Sequence, residues 1–372
     1  MPIDLPPGLE LSRAYDEQVV RPLLERHAAG LAHAAGRLGS GSDVLGFDDE
    51  QSRDHDWGLR LTLLVEGGRA GQIDALLDRE LPRTWHGLPT RFATTWDPVV
   101  RQRVEVASAA DLAASRLGID AARLEAAAID GADDLSVPSE APASPGGRTP
   151  PDALTLTDWL QLTGQAVLEV TAGPVFRDGP GVITALRGNL AWYPRDVWMY
   201  ALAADWSRLG QEFPDVGRAG LRGDEDGSAV IAARHVRTLL HLAHLLHRRW
   251  PPYGKWLARS AARLPDGQRL RGVVGEVLAA RDWRARQAAL AAAAELLATI
   301  QGEQGLPTLS PATEPFFERP HIGVRGLPEL LLAQIRDPAV RALPPGVGTA
   351  EQISDNATVL VDPAARRRLV GP

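Results

Sequence analysis

Residues 131–152 (GADDLSVPSEAPASPGGRTPPD) carry five prolines among small and polar side chains. Such a stretch buries too little apolar surface to offset the entropy lost on ordering it. It reads as a flexible loop or linker. It splits the 372-residue chain into two parts that each need a core of their own. The expected organisation is a domain over 1–130, the proline-rich segment, and a second domain over 153–372.

The first part alternates between helical and extended patterns. Ser12 can cap a helix that runs through Tyr15, Val19 and Leu23 to about Ala29, with Pro22 kinking it. Leu31 to Leu38 is a short apolar run ending in the turn Gly39–Ser42. The clearest strand is Asp54 to Val65. His55, Trp57, Leu59, Leu61, Leu63 and Val65 form one face, and Asp54, Asp56, Gly58, Arg60 and Thr62 the other. Residues 70–81 read as helix, Arg101–Ala107 as a second alternating strand, and Ala109–Leu117 as a helix. Beyond the break the texture changes to long helical patterns over Trp192–Leu209, Ser228–Trp250, Lys255–Leu264, Trp283–Ile300 and Pro328–Ile335. A short extended insert at Val167–Phe176 is broken by Gly173-Pro174. The fold class is therefore α+β: a mixed sheet with helices, followed by a mainly helical bundle.

Composition removes several function classes. The chain has no cysteine, so disulfides, thiolate metal sites and cysteine nucleophiles are excluded. A net charge of −7 argues against nucleic acid as the main partner, because phosphate contacts need a basic footprint. A mean hydropathy of −0.14 and the lack of a long uninterrupted apolar run argue against a membrane partner. The N-terminal sequence MPIDLPPGLE has no basic and apolar leader, and a cytoplasmic location is expected. There is no Walker-type lysine loop, GxSxG or HExxH. Of the 40 basic residues, 39 are arginine and one is lysine, Lys255.

The stretch that carries chemistry is 38–58, LGSGSDVLGFDDEQSRDHDWG. Leu38 ends a strand, Gly39-Ser40 turns the chain, and thirteen residues intervene before Asp54-His55-Asp56-Trp57. This order resembles the signature of the DNA polymerase β-like nucleotidyltransferase superfamily: hydrophobic-Gly-Ser, a spacer, then Asp-x-Asp between apolar residues on a strand. Aspartates at i and i+2 of a strand project from one face with Cα atoms about 6.5–7 Å apart. They can share two Mg²⁺ ions about 3.5–4 Å apart, an arrangement suited to in-line nucleotidyl displacement. The loop residues Gly39, Ser40, Gly41 and Ser42 would let backbone amides and hydroxyls approach a triphosphate.

The resemblance extends along the chain. GFDDEQSRDHDWG, AWYPRDVWMYALAADW (191–206), GLRGDEDGSAVIAARHVRTL (220–239), PPYGKWLARSAARL (251–264) and PFFERPHIGV (315–324) are similar to a bacterial family, the domain of unknown function 4037, described as nucleotidyltransferase-like. The superfamily implies a third carboxylate as metal ligand or general base. Glu105, between Val104 and Val106 on a predicted strand, is the first choice and Glu169 its rival. A salt bridge from Glu105 to Arg101 or Arg103 is the competing structural role. Related antibiotic nucleotidyltransferases use a lysine on the triphosphate, which gives Lys255 a role at the start of its helix.

Other features read as structure. His235, His241, His244 and His247 lie along one helix with no carboxylate on it and fit an amphipathic stripe. Asp224, Glu225 and Asp226 suit the N-terminal dipole of the helix that follows them. Trp57, beside the aspartates, could wall a substrate. The expectation is a Mg²⁺-dependent nucleotidyltransferase. It would move an NMP from an NTP, most simply ATP, to a small-molecule hydroxyl or phosphate, with Asp54, Asp56 and Glu105 as metal ligands. A catalytically weak nucleotide-binding regulator, antitoxin-like, is the alternative. Homodimerisation is left open.

Overall fold

A computed structural model describes residues 6–53, 56–120 and 154–371. The proline-rich segment, Asp54 and His55 lie outside the described residues. The protein is α+β. The chain divides into two units, one of residues 1–155 with 166–191, the other of 156–165 with 192–372. Residues 166–191, assigned to the helical domain on sequence, fold with the first unit.

The first unit is built on a four-stranded mixed sheet. Its strands are β1 (His33–Gly36), β2 (Leu61–Val65), β7 (Val104–Ala107) and β8 (Val175–Asp178), in the order β7-β2-β1-β8. β1 runs antiparallel to β2 and β8, and β2 runs parallel to β7 with Thr62 opposite Glu105. All five residues of β2 are buried. On one face Leu61, Leu63 and Val65 pack with Leu11 and Tyr15 of helix α1 (Gly8–Tyr15), Leu24 of α2 (Arg21–His27), and Ile73 and Leu77 of α3 (Ala70–Glu80). On the other, Leu64, Ala34 and Leu38 meet Leu112 of α4 (Ala109–Leu117) and Ile183 of the helix Val182–Asn189. Layers on both faces leave no solvated side for β2.

That burial shortens the expected strand. It begins at Leu61, not Asp54, and Asp56 sits on a turn before it. Carboxylates and glycine are poor strand residues, and this core has no polar face to receive them. The strand expected over Arg101–Ala107 also divides. β6 (Asp97–Gln102) pairs with β5 (Arg91–Thr94) as a hairpin, and β7 joins the sheet after Arg103. The first helix starts after Pro7, with Ser12 inside it donating its hydroxyl to the Gly8 carbonyl at 2.9 Å. It widens into a π-turn, Asp16–Val20, just before Pro22. Proline has no N–H for the carbonyl four residues back, so the ladder shifts there.

The segment Val167–Phe176 is not an extended insert. Gly164–Thr171 is helical and only Val175–Asp178 is strand. Gly173, at φ +76°, turns between them, and a Cβ there would lie 2.1 Å from the Arg37 carbonyl oxygen.

The second unit is helical. Its main helices are Arg195–Gly220, Glu225–Leu246, Gly267–Ala279 and Trp283–Glu303, with Leu327–Leu332 against the first of these. The Arg195–Gly220 helix continues past Leu209 and through Pro214. The hydrogen bond that a proline removes is offset by the burial of Phe213, Val216 and Gly220. Indole N–H groups tie the layers: Trp206 donates to Gln301 Oε1 at 2.7 Å and Trp198 to the Leu245 carbonyl at 2.8 Å. Among the described residues no helix is long and apolar enough to cross a membrane.

Candidate active site

β1 ends at Gly36, and the next residue organises the loop that follows. The guanidinium of Arg37 is buried and pairs with Asp43, Nε to Oδ2 at 2.7 Å and Nη2 to Oδ1 at 3.0 Å. Its remaining donors reach the carbonyls of Leu38 at 2.5 Å and Ser40 at 2.9 Å. The Gly39–Ser42 loop is therefore wound around a protein ion pair. Gly41 is required by close approach, since a Cβ would fall 2.1 Å from Asp43 Oδ1. Ser42 closes the loop by accepting from the Phe47 amide at 2.8 Å.

Gly39 joins this loop to the rival carboxylates. Its amide donates to the Glu169 carbonyl at 2.7 Å. A Cβ on it would stand 3.6 Å from Arg116 Nη2 and 4.0 Å from Glu105 Oε2. Arg116, in the last turn of α4, bridges both acids: Nη2 to Glu105 Oε1 at 2.8 Å and Nη1 to Glu169 Oε2 at 3.6 Å. Glu105 stands on β7 as expected, but its ionic partner is neither Arg101 nor Arg103; those two pair with Asp97. Glu169 reaches the same place from a helix. Arg60, one residue before β2, shares the electrostatic field of Arg37, Asp43, Glu105 and Arg116.

Asp56 is turned toward the β5–β6 hairpin. Its carboxylate accepts from the Thr95 amide at 2.5 Å and the Thr95 hydroxyl at 2.8 Å. The hairpin lies close along this turn, because a Cβ on Gly58 would be 3.0 Å from the Phe92 ring. Trp57 packs against the core cluster of the sheet, with the Arg53 guanidinium 5.4 Å from its ring centroid. Among the described residues no three His, Cys, Asp or Glu side chains gather as metal ligands. Lys255 belongs to the second unit. It lies in the first turn of the helix Gly254–Ala261, its ammonium 4.9 Å from the Trp256 ring centroid.

Residues 159–257 match the model of a domain of unknown function (DUF4037). This stretch is similar to that family. Searches of curated proteins and of solved structures return no match. The DUF4037 segment includes Glu169, Lys255 and the histidine-bearing helix, whereas the 38–58 motif and Glu105 lie N-terminal to it.

The DUF4037 histidines are more than an apolar stripe. The carboxylates beside His241 come from outside its own helix. His241 Nδ1 lies 2.6 Å from Asp205 Oδ2, and its Nε2 is 3.4 Å from Glu351 Oε1. Glu351 also accepts from the Gly164 amide at 3.0 Å, and Asp205 from Gln352 Nε2 at 2.7 Å. Burial pushes the His241 imidazole down, but Asp205 and Glu351 outweigh it and carry its pKa to about 10. His244, buried with its Nδ1 2.7 Å from the Leu240 carbonyl, is driven down by burial to about 4. One imidazole is held charged and its neighbour a turn away is held neutral. The acids at the start of this helix act locally: Asp224 caps it by accepting from the Gly227 amide at 2.7 Å, and Glu225, in its first turn, pairs with Arg286 at 3.0 Å.

Proposed function

We propose that the protein is a nucleotidyltransferase of the polymerase β-like kind. It would transfer an NMP from an NTP, most simply ATP, to a hydroxyl or phosphate of a small-molecule acceptor. One observation carries this reading: at one end of a mixed sheet, the Gly39 loop, Glu105 and Glu169 converge around Arg116. A glycine-serine loop beside paired carboxylates is the arrangement that in-line displacement at an α-phosphorus uses.

In that reaction an acceptor oxygen forms a bond to the α-phosphorus, the bond to the β-phosphate breaks, and pyrophosphate leaves. Glu105 or Glu169 would take the acceptor proton on a carboxylate oxygen, work worth about 10²–10⁴-fold in rate. Asp54, Asp56 and Glu105 would hold magnesium, for which hard oxygen donors are suited. When bound, the metal supplies charge neutralisation on the phosphates. Asp56 would first have to give up or share its bonds to Thr95.

A mass-spectrometric screen for NMP addition across aminoglycoside-like compounds and metabolites tests the reading. Turnover should appear with wild type and fall by about 10²-fold or more in Glu105→Gln or Glu169→Gln, whichever is the base. No transfer to any acceptor would count against it. The engagement of Glu105 and Glu169 by Arg116 favours a second reading, a nucleotide-binding regulator with little catalysis. Calorimetry with Mg-ATP on wild type and on Asp54→Asn/Asp56→Asn separates the two. Identical binding with and without Mg²⁺ in both proteins would exclude metal chemistry at the aspartates.

A further inference from the structure

Three arginines crowd the end of the sheet, and two of them have evident work. Arg37 is bound to Asp43 and to two carbonyls of its own loop. Arg116 is bound to Glu105 and Glu169. Arg60 differs. It is partly buried, between the buried Leu59 and Leu61, and among the described residues it makes no hydrogen bond and no ion pair. Alternation along the chain puts it on the face of Thr62 and Leu64, the face that α4 covers and from which Glu105 projects. Burial, together with the positive charges of Arg37 and Arg116, holds its guanidinium down at about 10, against the opposing pull of Asp43 and Glu105.

A guanidinium has five N–H donors in a planar fork. None of the Arg60 nitrogens is among the buried side-chain atoms without a partner, and the residue is half-buried, so its donors still meet solvent and stand open to an arriving anion. An oxyanion with several oxygens suits the fork best, because each oxygen can accept a charge-assisted bond. Among the described residues, the carboxylates that act on Arg60, Asp43 and Glu105, are already bound by Arg37 and Arg116.

We propose that Arg60 is the anion-binding group of this site and takes a phosphate of the bound nucleotide, with the neighbouring Arg116 as its auxiliary. The assignment rests on the nucleotide-using reading above and gives the first unit its own phosphate contact. It also accounts for an arginine at a position that would be easier to fold with an uncharged residue.

The test is calorimetry in EDTA buffer with tripolyphosphate, orthophosphate, ATP and adenosine on wild type, Arg60→Gln and Arg60→Lys, with thermal unfolding of each protein. Wild type should bind tripolyphosphate and ATP. Arg60→Gln should bind both at least tenfold more weakly, and Arg60→Lys should fall between them. Adenosine should not discriminate, and orthophosphate binding as tight as ATP would assign the site to the free ion while keeping its chemistry. Without ligand, Arg60→Gln should melt no lower than wild type, since no protein bond is lost. Equal tripolyphosphate affinity in wild type and Arg60→Gln overturns the proposal. So does a lower ligand-free Tm for Arg60→Gln, which would mark a structural contact. If ATP binding depends on Arg60 and yet no acceptor receives an NMP, the transferase reading fails and the anion site stands. If transfer occurs and Arg60→Gln binds normally, only the assignment of Arg60 fails.

Discussion

Arg37 illustrates how much one side chain can determine about a loop. Its guanidinium fixes both the Asp43 carboxylate and the path of Leu38 to Ser40. Removing one partner of a buried pair leaves the other charge uncompensated, at about 3–5 kcal/mol. Arg37→Gln should lower the urea midpoint accordingly, while Arg79→Gln, whose partner Glu80 is exposed and adjacent, should change it little. His241 makes a prediction with a definite sign. Its folded pKa, about 10, lies above the unfolded value near 6.5. Its stabilisation is therefore complete below about pH 6.5 and drains away as pH rises toward 10. His244, lowered to about 4, behaves oppositely: its contribution is present above about pH 6.5 and is lost as pH falls toward 4. Urea titrations of wild type and His241→Gln should show a gap that narrows from pH 7 to pH 10. At this scale the sequence exposed the chemical types but not the pairings. Glu105 and Glu169 could both be picked out by their flanking apolar residues. Their common partner, Arg116, is 11 and 53 positions away, and no local pattern encodes it. Arg60 was visible only as one polar residue among several on an alternating face.

Elements were legible where one periodicity had room to repeat. The helix Ala70–Glu80 and the helix Ala109–Leu117, capped by Ser108 and ended at Gly118, fall where the pattern put them. The errors share a cause. Asp54–Leu63 alternates, yet β2 starts at Leu61 because the sheet is covered on both faces, as Leu64 on the second face shows, and alternation there has no solvent side to report. Val167–Phe176 reads as a short extended insert, but a short apolar run does not distinguish strand from buried helix. The helix Gly267–Ala279 has no counterpart among the helices expected from the sequence. Packing between elements is sharper than the patterns that produce them. A Cβ on Gly220 would sit 2.1 Å from Cγ of Trp283, so the Arg195–Gly220 helix can lie against the start of the Trp283–Glu303 helix only with glycine there. Overpacking of this kind costs about 1–3 kcal/mol. Gly220→Ala should lose that much stability in denaturant melts, and the double variant Gly220→Ala/Trp283→Leu should recover part of it. Gly210→Ala, with Val324 Cβ 3.9 Å from the added methyl, should be close to neutral.

At the scale of the whole chain, the proline-rich break marked a change of texture but not the boundary of a unit. Strand β8 lies beyond it and pairs with β1. A fragment of residues 1–155 would leave β1 as an open edge, without β8 and without Ile183 on the face that α4 covers. Such edges pair with other chains. The fragment should aggregate or unfold without cooperativity, whereas residues 1–191, which restore both, should stay soluble and melt cooperatively. The DUF4037 match over 159–257 has the same character: it contains β8 of one unit and the first long helices of the other. The chain passes from one unit to the other after 155, 165 and 191. A joint after 191 passes on the first unit whole but takes 156–165 from the second, and a joint after 155 passes on the second whole but takes 166–191 from the first, so no single joint leaves both intact. Whatever chemistry the sheet end performs, descent with change would have to keep the sheet and the helical unit together, and new specificities would arise by substitution within the pair, not by exchanging one half for another.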